Sequence, residues 1–143
     1  MSTTATGMHR TFVGSDEGRA TGKVVDDALY ELRTRVPDVM GVLVASVDGL
    51  PLAQIVHEGD PPSLAAMAST AAGLSKRIVE FMGLGGFAEC VVRGDNGYLA
   101  VYSAGPVAVL AVIAAEGANL GRVHLEARRA ATTIATALET GPC

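Results

Sequence analysis

Apolar positions recur at helical spacing in three stretches of the chain and run almost unbroken in several others. Val25, Leu29, Leu32 and Val36 mark one helical stripe beginning near Lys23. Pro37 disfavours helical geometry at Val36, so this helix is predicted to stop there. "VMGVLVASV", starting at Val39, is β-branched and nearly wholly apolar, the pattern of a strand covered on both faces. Asp48-Gly49 then supplies a turn, and Leu52 to His57 is the predicted returning strand.

"GDPPS" breaks the chain before a second helix, predicted from Pro62 to Gly83, with Asp60 or Ser63 as its cap. Two stripes run along it. Leu64, Met67, Ala71, Leu74, Ile78 and Phe81 form the first, and the smaller Ala65, Ala68, Ala72, Ser75, Val79 and Met82 form the second. At ~100° per residue the two together span ~200° of the helix, whereas a helix lying on its own sheet needs a stripe of only about 100°. The small side chains are the surplus and permit close backbone approach, so a second molecule is expected against them.

After "GLGG" come three more strands: "FAECVVR", ending at the turn Gly94-Asp95-Asn96-Gly97; "YLAVYSA", ending at Gly105-Pro106; and "VAVLAVIA". A last helix carries Leu120, Val123, Ala127, Ala130, Ile134 and Leu138 on one face and Arg122, Glu126 and Arg129 on the other. The order α-β-β-α-β-β-β-α predicts an α/β fold of the α+β type: a single five-stranded, mostly antiparallel sheet with helices on both faces. The folded domain is expected over residues 23–139. The polar, aperiodic segment 1–22 is expected to be a flexible tail, and 140–143 a short C-terminal one.

Composition removes several functions. A net charge of -4 argues against nucleic-acid binding, which needs a basic face. Residues 1–20 lack the apolar core of about 7–15 residues that a signal peptide carries. No apolar run approaches the ~20 residues of a membrane span, so a cytoplasmic protein without membrane insertion is expected. The cysteines, Cys90 and Cys143, form no metal-like or redox-like pair, which fits a reducing compartment. His9, His57 and His124 are scattered, and Asp48, Asp60 and Asp95 fall where turns favour Asp. No phosphate loop, nucleophile motif or metal-ligand spacing is present. No catalytic, cofactor-binding or metal-binding residue is assigned, and neither an enzyme nor a cofactor is expected.

"GVLVASVDGLPLA" (Gly41 to Ala53), the Ala-rich second helix ending in "GLGG", "VVRGDNGYLAVYSAG" (Val91 to Gly105) and "LAVIA" (Leu110 to Ala114), taken in this order, resemble the Roadblock, or dynein light-chain Roadblock-type, family. The resemblance implies a non-enzymatic homodimer in which two sheets join through the third strand, "FAECVVR", into one of ten strands, with the second helices paired. That places Ala65, Ala68, Ala72, Ser75 and Val79, together with Ala88, Cys90 and Val92, at the dimer interface. Bacterial members similar to this chain act with small Ras-like GTPases as scaffolds or regulators, often beside a sensor-kinase-like protein. By the family's example, the exposed arc Ser69, Thr70, Gly73, Lys76, Arg77 and Glu80 is the expected GTPase surface. The alternative is a small-ligand sensory domain with a profilin- or PAS-like sheet, which an Ala-rich core with few aromatics disfavours.

Overall fold

The computed structural model describes residues 8–10, 16–56 and 59–140. Its elements are β1 (Met8–Arg10), α1 (Asp16–Arg35), β2 (Val39–Ser46), β3 (Pro51–Ile55), α2 (Pro61–Phe81), β4 (Glu89–Gly94), β5 (Gly97–Ser103), β6 (Ala108–Ala115) and α3 (Leu120–Thr140). Strands β2 to β6 form the expected antiparallel sheet, in the spatial order β3-β2-β6-β5-β4, and β1 adds a short strand outside β3. The strand expected third in the chain is therefore β4, at the sheet's other edge.

The unbroken apolar runs occupy the middle of the sheet. Val42 and Val44 of β2 face α1 and α3, while Leu43 and Ala45 face α2, and all four are fully buried. β6 lies alongside with the same double burial. In the β2–β3 hairpin the Ser46 amide donates to the Leu50 carbonyl at 2.8 Å, and the Leu50 amide donates to the Ser46 hydroxyl at 3.1 Å. The turn at Asp48-Gly49 thus organises backbone. β3 ends at Ile55, and His57 lies outside the described residues.

The helix ends follow local rules. The Asp60 carboxylate accepts from the Ser63 amide at 3.3 Å and caps α2, with Pro61 and Pro62 in the first turn. At the other end Leu84 donates to the Val79 carbonyl and Gly83 to that of Glu80, a Schellman motif. Gly83 sits at φ +69°, the left-handed conformation this motif requires. Asn119 caps α3 by accepting from the Arg122 amide at 3.0 Å. The apolar face of α3 is as expected: Val123, Ala127, Ala130 and Ile134 are buried, with Leu120 and Leu138 packed at its ends.

Two expectations need correction. α1 begins at Asp16, not near Lys23, so residues 16–22 belong to a helix and Met8–Arg10 to a strand. Gly18, Thr21 and Gly22 are buried and extend the stripe of Val25 and Leu29 by one further repeat in residues that are not apolar. The rest of the expected tails, 1–7, 11–15 and 141–143, lies outside the described residues. Glu126 is not on a solvated face of α3 but is buried, 8% exposed. α1 packs beside α3, and the crevice between them, lined also by Glu31, Arg35 and Arg129, takes in Glu126.

Candidate functional site

The face of the sheet under α2 is small: Leu43, Ala45, Val101, Val109 and Ala111. Ala65, Ala68 and Ala72 of α2 lie directly on these side chains. The stripe of small residues is therefore the inner face of α2, against the chain's own sheet. This corrects the expectation that those three alanines meet another molecule; Ala65 and Ala68 are 0% exposed already. Ser75 and Val79, continuing the small stripe towards the helix end, are half-buried.

The exposed apolar stripe is the other one. Met67, Leu74 and Ile78 stand in solvent, and Phe81 is 89% exposed. Leu64 alone of the large residues in this stripe leans into the core beneath α2. Met82 and Leu84 extend the apolar surface past the end of the helix. Large apolar side chains exposed side by side along one helix are the mark of an interaction surface.

β4 lies close by and, among the described residues, pairs with a strand on one side only, β5. Cys90 stands opposite Val101, and Val92 opposite Leu99, so both point to the α2 face. Cys90 is a free, half-buried thiol and Val92 is exposed. Glu89, Val91 and Arg93 alternate to the opposite face, as expected. Ala88 precedes the strand and is exposed. Phe87 lies ahead of the strand and packs against the cluster beneath α2, because the regular pleat begins only at Glu89.

The polar arc lies on the opposite flank of α2 from the apolar stripe. Thr70, Gly73, Lys76, Arg77 and Glu80 are exposed on it. Ser69 is not: it is buried, and its hydroxyl donates to the Ser46 carbonyl at 2.7 Å. Ser69 therefore ties α2 to the end of β2 and is withdrawn from the expected partner surface.

A polar cluster on the far side of the sheet has no local signature in the sequence. Arg128 of α3 holds Glu89 of β4 with two hydrogen bonds, at 3.0 and 3.3 Å. Nearby, the Tyr102 hydroxyl and His124 Nδ1 are 2.6 Å apart. Burial pushes the Tyr102 phenol well above its usual range, with the Glu89 charge adding to the effect. These pairs link positions 39 and 22 residues apart, beyond any periodicity. The first anchors the edge strand β4 to α3, and the second anchors its neighbour β5 to the same helix. Among the described residues no group of three or more His, Cys, Asp and Glu could hold a metal ion, and no helix is long and apolar enough to cross a membrane.

Residues 25–114 match the family described as the Roadblock/LC7 domain. The chain belongs to the Roadblock/LC7 family. An uncharacterized protein of Methanocaldococcus jannaschii is 33% identical over 112 residues, covering 78% of this chain and 93% of that protein. A Roadblock/LC7 domain from Streptomyces avermitilis superposes with a TM-score of 0.73 at 28% identity, covering 80% of this chain and 98% of that one. The gliding protein MglB from Thermus thermophilus superposes at 0.77 with 24% identity, covering 92% and 98%. It shares the Roadblock/LC7 fold. A further MglB structure, 25% identical with a TM-score of 0.78 and covering 92% of this chain and 97% of its own, shows a tetrameric arrangement of that protein. Membership makes this chain a protein-interaction module, and the stripe of α2 leaves four large apolar side chains exposed on it.

Proposed function

We propose that this protein is a non-enzymatic, homodimeric adaptor that binds a small Ras-like GTPase in a bacterial, cytoplasmic signalling system. The uncovered apolar stripe Met67, Leu74, Ile78 and Phe81, beside the open edge of β4, carries the reading. Burying one such side chain is worth about 1.5–3 kcal/mol, so a matching face offers several times that. A two-fold axis beside β4 sets that edge against its own copy and the large stripes of two α2 helices against each other. Val92, Cys90, Ala88, Ser75 and Val79 then lie near the seam, whereas Ala65, Ala68 and Ala72 stay within each subunit. The polar flank, with Thr70, Gly73, Lys76, Arg77 and Glu80, stays free for the GTPase, and a sensor-kinase-like protein is a further partner of the assembly.

The test has two parts. Sedimentation at micromolar concentration should report twice the chain mass. Pull-down with Ras-like GTPases encoded beside the gene, loaded with GDP or a GTP analogue, should retain one of them and lose it on Lys76→Glu with Arg77→Glu. A monomer sinks the dimer. Retention that ignores the double substitution sinks the assignment of the polar flank.

A further inference from the structure

Between α2 and the end of the sheet lies a groove of about 400 Å³. Small-molecule sites typically measure about 300–1,000 Å³. The groove exists because Ala72 and Gly73 supply almost no side chain there, while Phe87 and the Gly105-Pro106 turn form its walls. Val47 and Val109 complete an apolar lining. The polar groups are few and unequal. The Ser69 hydroxyl is engaged with Ser46. The Ser103 hydroxyl and the Lys76 ammonium, also lining the groove, make no side-chain hydrogen bond or ion pair among the described residues.

An apolar trough with one cation and one free hydroxyl fits a ligand with a single compact anion and a hydrocarbon body. We propose that this groove is a binding site for a small monocarboxylate, its carboxylate on Lys76 and Ser103 and its apolar body against Phe87, Val47 and Val109. Phosphorylated and polyanionic compounds fit less well, because no second cation among the described residues lines the groove. Lys76 and Gly73 also belong to the flank assigned above to the GTPase. A bound carboxylate would therefore compete for Lys76, a coupling that rests on that assignment, whereas the site itself does not.

The isolated, isotopically labelled protein is titrated with octanoate, and with 1-octanol as an uncharged probe, by amide NMR. Octanoate should produce saturable shifts at Gly73, Phe87, Ser103 and Gly105. Lys76→Met should weaken octanoate at least about threefold, the effect of an exposed ion pair, and leave octanol unchanged. Gly73→Leu should abolish both. A Cβ at Gly73 meets nothing within 4 Å, and leucine favours helix, so this variant should stay folded. Circular dichroism checks that, and Lys76→Met decides alone if it does not. Absence of saturable shifts overturns the proposal. So do shifts confined to Met67, Leu74 and Phe81, which would mark general adsorption, and an octanoate affinity untouched by Lys76→Met. No GTPase is present, so failure here is distinct from failure of the adaptor reading.

Discussion

Tyr98 and Tyr102 leave β5 on the same face, four residues apart, and meet opposite fates. The Tyr102 hydroxyl has His124 at 2.6 Å, while the Tyr98 hydroxyl is buried with no hydrogen-bond partner among the described residues. A satisfied group contributes about 1 kcal/mol, whereas a buried unsatisfied one gives nothing back for its lost hydration. Tyr102→Phe should therefore lower stability by about 1 kcal/mol in urea unfolding, and Tyr98→Phe should leave it unchanged or raise it. Burial raises the pKa of both phenols. Below about pH 10 a tyrosine is protonated in both folded and unfolded chains, and its contribution to stability is fully present. Above that the unfolded chain ionises while the folded one holds its proton, so stability falls as pH rises. Urea midpoints measured from pH 9 to 11 should fall, and less steeply in Tyr102→Phe.

At the scale of the element, α2 decides most. Ala68 lies on its inner face, 0% exposed and off the groove that Ala72 lines, so a charge there has no exit and Ala68→Arg should unfold the chain, at a cost of about 3 kcal/mol or more. Leu74→Glu with Ile78→Glu, on the outer stripe, should leave the circular dichroism spectrum of the subunit intact, yield a monomer in sedimentation, and lower the thermal midpoint only by the share that association supplied. A folded, dimeric Ala68→Arg would reverse this assignment of the faces. The width of the apolar arc was legible in the sequence, but which half faces the sheet was not. Periodicity gives angle alone; the choice came from the sheet, whose Ala45 and Ala111 leave α2 lying low enough that only small residues fit beneath it. The strands and their turns were legible because β2 and β6 are apolar on both faces and Asp48-Gly49 interrupts them sharply. The first turns of α1 were missed because Gly18, Thr21 and Gly22 bury backbone and not hydrocarbon. The Glu89–Arg128 and Tyr102–His124 pairs were invisible because only the folded sheet brings β4 and β5 under α3.

The whole molecule is asymmetric. One face of the sheet carries two helices and the larger core, including Leu29, Leu32, Leu110 and Ile134. The other carries α2 alone over a thinner layer of mostly small residues. The edges differ too: β1 covers β3, while among the described residues no strand pairs with the outer edge of β4. An open edge beside an apolar stripe is an invitation to aggregate unless a partner covers both. If the cover is a second copy, the folded state is stabilised by mass action. Calorimetry over a hundredfold range of protein concentration should then raise the melting temperature by roughly 5 °C, and a concentration-independent midpoint would count against the dimer.

The two faces of α2 also answer to different judges over evolutionary time. A change at Ala65, Ala68 or Ala72 is screened by this chain's own sheet and is rejected whatever the partner. A change at Met67, Leu74, Ile78 or Phe81 is screened only by the molecule that covers it. After gene duplication, two copies in one cell could therefore separate their associations by drift along the outer stripe while the fold beneath stayed fixed. Among related sequences, the outer stripe should diverge in step with its partner, and the alanines should not move.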